Sequence, residues 1–226
     1  MKQFKLCILV PTTGMCRAPF TFSLANLIIY YAQNRIYENV SDQLLNVEPI
    51  EGSGISANRE RLVAGALTGD TTHILFIDED MSFSPDALHI LAAKEKPIVR
   101  CNYKMRVPGK GFTALAPDKM NRIITTEDSA GLEECHYTGF GFCLIERWVF
   151  EKVARPWFLI GYNTETNTYT TEDAGFAHRL ENMGIPWYVD HDASKKVLHW
   201  GNHAYSWKER DADIKKETEW AHHARS

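Results

Sequence analysis

The sequence predicts an α/β fold with a central, mostly parallel sheet and a mixed C-terminal extension, and three observations predict it. Short continuous apolar runs, residues 6–10 and 73–77 among them, alternate with stretches of helical period through the first half of the chain. These two runs end in a proline-threonine loop and in an acidic triplet, as expected of strands covered on both faces that stop at a ligand-bearing sheet edge. After residue 103 the pattern changes to short strand-like pieces joined by turns rich in Pro, Asp, Lys, Ser and Gly.

The opening run, 6–10, is ended by Pro11, Thr12, Thr13 and Gly14, a strand running into a loop. A helix follows, because Phe20, Leu24, Leu27, Ile28 and Tyr31 recur at spacings of three and four, with Pro19 near the start where its missing N–H costs nothing. Residues 43–47 read as a second strand closed by Pro49 and a turn over 51–54. Ser56 reads as the N-cap of a second helix over 57–67 that stops before Gly69. The run 73–77 is the third strand. Ser84 and Pro85 then open a third helix with Asp86 in its first turn, and 97–103 is a fourth strand.

Further on, 112–116, 121–126 and 132–137 are expected as short strands, and 139–145 leads into a helix over 147–153. Residues 161–169 are polar and aperiodic and read as a loop. Thr171, Glu172 and Asp173 begin a helix that runs through Met183, with Gly184 as its C-cap and Pro186 beyond. The charged residues 211–226 read as a surface helix or a frayed tail.

Composition narrows the function classes. A net charge of −4 with thinly spread Lys and Arg argues against general nucleic-acid binding, which needs clustered positive charge. No stretch approaches the roughly 18 continuous apolar residues of a membrane span, so no transmembrane segment is expected. The five cysteines are odd in number and form no C-x-x-C pair, and three of them lie in apolar runs. That usage fits buried, reduced thiols and a cytoplasmic protein.

The chemistry concentrates at Asp78, Glu79 and Asp80, directly after the apolar run 73–77. The stretch 73–83 reads as a buried strand that delivers these acids to a sheet edge, and alternation along it puts Asp78 and Asp80 on one face and Glu79 on the other. Two hard oxygen ligands at that spacing suit Mg²⁺ or Mn²⁺, which keep other positions for water and phosphate oxygens. An isolated Asp-x-Asp is more often the acidic turn that solvates a strand end. The parallel sheet would bring the Pro11–Gly14 loop and the acidic triplet to one cleft.

Several segments in order resemble the glycosyltransferases of the GT-A fold, a Rossmann-like nucleotide-diphospho-sugar transferase fold, particularly family 2 and its small bacteriophage or bacterial relatives. They are the strand entering Pro11, Thr12 and Thr13, the helix start at Ala57, Asn58 and Arg59, the acidic triplet, Thr138 to Phe142, Thr171 to Phe176, and His199, Trp200 and Gly201. The resemblance implies a metal-dependent, nucleotide-sugar-dependent hexosyltransferase that moves a sugar from a UDP- or GDP-sugar donor to a hydroxyl acceptor such as a glycan, by inversion. It implies Mn²⁺ or Mg²⁺ held by Asp78, Asp80 and His199, with His191 as the rival to His199. Asp173, in the Glu172-Asp173 pair, is implied as general base, and an acid at a helix start is also an ordinary cap.

Pro11, Thr12, Thr13, Asn58, Arg59, Asp78 and Glu79 are implied to line the donor site, with Asp80 the direct metal ligand and Glu79 mainly structural. Glu48 and Glu51 are candidates to read the base, and Trp157, Trp187, Trp200 and Trp207 to stack on sugars. On this reading 1–210 is one catalytic domain, with 1–103 the nucleotide-binding half and 104–210 the acceptor-binding half. A sugar nucleotidyltransferase shares the sheet and the metal logic, although the residues after the first strand are poor in glycine. A non-catalytic nucleotide- or carbohydrate-binding module is the third possibility.

Overall fold

The computed structural model describes residues 3–36, 43–51, 54–106, 111–164, 167–201 and 204–208. The expected tail at 211–226 lies outside them, and the side chains of Glu48 and Glu51 are likewise not described. In chain order the elements are β1 (Phe4–Thr12), α1 (Ala18–Gln33), β2 (Gln43–Glu51), α2 (Ile55–Ala66), β3 (His73–Ile77) and β4 (Met81–Phe83). Then come α3 (Ala87–Ala92), β5 (Ile98–Arg100), β6 (Leu132–Cys135), β7 (Phe142–Glu146), α4 (Arg147–Lys152), β8 (Tyr162–Asn163) and β9 (Thr168–Tyr169). The last are α5 (Glu172–Asn182), β10 (Trp187–Asp190), α6 (His191–Ser194), β11 (Val197–Trp200) and β12 (Ala204–Tyr205).

The architecture is α/β around a seven-stranded sheet in the order β2-β1-β3-β7-β5-β10-β6. Strand alternation sorts the apolar runs into two cores. Cys7, Leu9, Ile74 and Phe76 face one side with Leu62 and Val63 of α2 and Phe176 and Leu180 of α5. Leu6, Ile8, Val10, Leu75 and Ile77 face the other with Phe20 and Leu27 of α1 and Leu88 and Leu91 of α3. Both faces are covered, which is why these strands are continuously apolar. Pro49 lies within β2, paired with Val10, rather than closing the strand. β2 is the sheet edge, where a missing N–H is tolerated.

The sheet is more mixed than expected. β2, β1, β3, β5 and β10 share a direction, but β7 runs antiparallel between β3 and β5, and β6 antiparallel beside β10. Segment 139–145 does lead into a helix, α4 at Arg147, and in addition its end forms a strand of the main sheet, which was not expected. β7 carries the run Phe142, Cys143, Leu144, Ile145, which is short and apolar enough to suit a strand or a helix until its long-range partners are known. Strands β6, β7 and β10 also place the second half of the chain in the same sheet as the first.

Local boundaries differ where side-chain bonds redirect the backbone. Ser56 is inside α2 and donates to Phe158 O, so Gly54 stands at the N-cap position. Ser84 donates to Asp86 at 2.6 Å, and the third helix begins at Ala87. Segments 112–116 and 121–126 make only isolated bridges, Lys104 with Phe112 and Leu115 with Arg122 and Tyr137. Residues 161–169 form the short β8–β9 hairpin. A second sheet, β12-β11-β4, uses Met81–Phe83, just past the acidic triplet. Gly184 has a φ of 63°, the left-handed geometry expected of the residue ending α5.

Candidate functional site

The acidic triplet stands in a turn, not on a strand. β3 ends at Ile77, and Met81 N–H donates to Asp78 O at 3.0 Å, so the alternation expected for Asp78, Glu79 and Asp80 does not apply. Three other segments clamp the turn's backbone: Asp78 N–H donates to Gly141 O at 3.1 Å, Arg17 N–H to Glu79 O at 3.4 Å, and Trp200 N–H to Asp80 O at 2.8 Å. All three carboxylates line a cavity of about 370 Å³ at the ends of β1 and β3.

Pro11, Thr12, Thr13, Asn58, Arg59, Glu172 and Asp173 line the same cavity, so residues far apart in the sequence meet where the parallel strands stop. Glu79 faces the end of β1: its carboxylate accepts from the hydroxyl of Thr12 and from the backbone N–H and hydroxyl of Thr13, the last two at 3.0 and 2.6 Å. It braces the loop that walls the cavity.

Arg59 is the buried organiser. It projects from α2 at 3% exposure, donates to Asp78 Oδ1 at 2.9 Å and to Glu172, and lies over the Phe140 ring at 5.1 Å. Burial works against its charge, but Asp78, Glu172 and Asp173 outweigh it and hold its pKa above the ordinary arginine value. Burial also lifts the Glu172 carboxyl above its ordinary value in spite of Arg59. The two shifts pull oppositely; with a guanidinium against it, the pair requires the carboxylate form of Glu172. Glu172 is thus a positioning residue, tied to Arg59, while both acids of the pair line the cavity.

Asp173 Oδ1 accepts the Ala174 N–H at 2.9 Å, and Oδ2 lies 3.9 Å from the point where a side chain at Gly139 would begin. Thr171 occupies the N-cap position of α5 without a capping side-chain bond. Tyr137, beside Asp173, has its phenol pKa pushed up to about 12 by burial and by that carboxylate, and so stays protonated.

Asp80 and His199 form a second constellation. His199 Nδ1 is 2.8 Å from Lys104 O, an acceptor only, so Nδ1 is the donor and Nε2 is the atom turned to Asp80. Nε2 lies 3.6 Å from Asp80 Oδ1, beyond hydrogen-bond reach, and that buried oxygen has no hydrogen-bond partner. Arg106 takes Oδ2 at 2.7 Å. Burial opposes ionisation of Asp80, but His199 and Arg106 outweigh it and the carboxyl pKa lies below its ordinary value.

His191 is not at this site. It is 4% exposed, with Nδ1 against the Thr125 hydroxyl and Nε2 against Glu133, both at 3.0 Å. The four candidate tryptophans do not line the cavity either: Trp157 and Trp187 are in the core, Trp200 donates to Ser82 and Trp207 to Lys195 O. Among the described residues no group of three or more His, Cys, Asp or Glu side chains is gathered as a complete metal cage. The described cysteines are all free, with Cys16 exposed and the other four buried. No described helix is long and apolar enough to cross a membrane.

Three contributors were not anticipated from the sequence. Tyr103 lies under the cavity, its hydroxyl accepting Gly141 N–H at 2.8 Å and its ring edge-on to His199 at 5.0 Å. Its place at the end of the expected strand 97–103 was a usable signal. Arg100, fully buried, donates to Thr138 O at 2.5 Å and Gly139 O at 3.1 Å and stacks on Trp187 at 3.7 Å, fixing the segment that floors the site. Arg106 follows no motif.

No family model matches this sequence, and no curated protein does. Among solved structures the chain is similar to the crystal structure of A197 from STIV, with 20% identity over 92% of each chain and a TM-score of 0.60. The two share a fold. At that identity the likeness speaks to fold and not to activity.

Proposed function

We propose that the cavity is a metal-assisted nucleotide-sugar site of GT-A type, and that the protein transfers a sugar from a nucleoside diphosphate donor to a hydroxyl acceptor with Asp173 as base. The observation that carries the reading is the charge balance of the lining: five carboxylates, Asp78, Glu79, Asp80, Glu172 and Asp173, stand against the two guanidiniums of Arg59 and Arg106. An anionic diphosphate enters such a cavity only together with a cation.

The residues fit that cation. Asp80 offers a buried oxygen without a hydrogen-bond partner, and in its neutral form His199 turns an Nε2 lone pair toward it because Nδ1–H is committed to Lys104 O. When bound, Mn²⁺ or Mg²⁺ supplies positive charge against the charge that grows on the leaving diphosphate. The rest would fall to the protein: Glu79 holds the Thr12–Thr13 wall, Arg59 ties the Asp78 turn to the start of α5, and Asp173, whose Oδ1 accepts from Ala174 N–H, would take the acceptor's hydroxyl proton on Oδ2.

The test is a thermal-shift screen of UDP, GDP and dTDP with and without Mn²⁺, followed by donor hydrolysis and transfer assays on whichever nucleotide stabilises the protein. Mn²⁺-dependent stabilisation that disappears in Asp80→Asn is expected. Binding that is indifferent to metal and to Asp80, without turnover, would instead make this a non-catalytic binding module.

A further inference from the structure

Arg106 sits where a cation would be expected to act. Its Nη1 is 2.7 Å from Asp80 Oδ2, while Oδ1 of the same carboxylate faces His199. The segment that carries it also orients the histidine: Lys104 O accepts from His199 Nδ1, and two residues later Arg106 takes Asp80. Met105 N–H donates to Gly111 O at 2.9 Å and Lys104 is bridged to Phe112, so this segment is held as one arm of a paired ribbon.

We infer that Arg106 is an internal stand-in for the cation: it competes with a divalent ion for Asp80, and passes to the diphosphate when ion and nucleotide enter together. The inference rests on the reading of the cavity as a metal-assisted nucleotide site.

The two guanidiniums of the cavity differ in a way that supports it. Arg59 is 3% exposed and pinned between two acids, whereas the Arg106 side chain is 50% exposed and holds one. Arg106 is able to leave through solvent without disturbing the core, and Arg59 is not. A guanidinium fork matches carboxylate and phosphate alike, so release from Asp80 onto a diphosphate exchanges one ion pair for another. An ion arriving alone displaces Arg106 with no anion to receive it. Cation and nucleotide should therefore each strengthen the other's binding, with Arg106 as part of the coupling.

The experiment is titration of Mn²⁺, followed by the electron paramagnetic resonance of the free ion, on wild type and Arg106→Gln, each alone and with UDP or GDP. Without nucleotide the variant is expected to bind Mn²⁺ about fivefold more tightly, equivalent to ~1 kcal/mol for a partly exposed ion pair, and to gain less from nucleotide than wild type. Equal or weaker Mn²⁺ affinity in the variant overturns the inference. Nucleotide-enhanced Mn²⁺ uptake by wild type in that same experiment would leave the reading of the cavity standing. If neither protein takes up Mn²⁺ under any condition, both fail. Arg106→Lys, which keeps the charge and loses the fork, should lie between wild type and the glutamine variant, and melting curves report that the variants are folded.

Discussion

Glu79 accepts both the backbone N–H and the hydroxyl of Thr13, at 3.0 and 2.6 Å, and so ties the turn after β3 to the end of β1. The hydroxyl is able to reverse its role and accept, whereas the N–H is not. Glu79→Gln, with its amide nitrogen toward the hydroxyl, should therefore cost less than about 1 kcal/mol, while Glu79→Ala should cost about 1–2 kcal/mol and loosen the wall. Urea unfolding measures the first difference, and nucleotide affinity in the two variants measures the second.

Arg59→Met removes the shared partner of Asp78 and Glu172 and leaves two carboxylates close together without it. Breaking a buried pair in this way costs roughly 3–5 kcal/mol. Denaturation of Arg59→Met should show a loss of that order, and the triple variant Arg59→Met, Asp78→Asn, Glu172→Gln should recover part of it.

Asp173→Asn keeps size and shape and removes the base. Turnover should fall by about 10²- to 10⁴-fold while the melting temperature and nucleotide affinity change little. Parallel loss of nucleotide affinity would place Asp173 in donor binding instead.

A side chain at Gly139 would begin 2.5 Å from the Tyr103 hydroxyl, and that hydroxyl is held by Gly141 N–H. Gly139→Ala should destabilise by about 1–3 kcal/mol. Tyr103→Phe removes the atom in the way, so in a double-mutant cycle the pair should cost less than the sum of its parts.

Lys94 Nζ lies 2.8 Å from Oδ2 of the fully buried Asp190 and 3.5 Å from Asp192. Burial lowers the lysine pKa, and these acids more than restore it, so it stands above its ordinary value. A raised folded-state pKa gives stability that is complete below the unfolded lysine value of about 10.4 and is lost as pH rises through the folded value. Lys94→Met should cost about 3 kcal/mol at pH 7. The gap to wild type should narrow above about pH 10.4, as measured by denaturant titration across that range.

Much of the site was legible because strand ends announce themselves. The apolar runs into Pro11 and Asp78 located two walls of the cavity, and Thr171, Glu172 and Asp173 marked the start of α5. Pairing across the sheet was not legible. Phe142 to Ile145 has no local feature that demands an antiparallel strand between β3 and β5, and the turn over Asp78–Met81 undid an alternation that only a continued strand supports. Composition could not separate His191 from His199. What separates them is that His191 spends both ring nitrogens on Thr125 and Glu133, while His199 spends one on Lys104 O and turns the other to Asp80.

The position of β7 also sets an order of assembly. Leu75 of β3 and Val99 of β5 never touch as ladder partners; each pairs with Leu144, contributed much later in the chain. On a ribosome, the middle of the sheet stays open until β7 has emerged, and until then two apolar strands offer unpaired edges to any neighbour. A fragment ending at residue 103 would keep most of the acids of the cavity and lack the strand that joins their two supports, so it should aggregate and not fold as a smaller working unit.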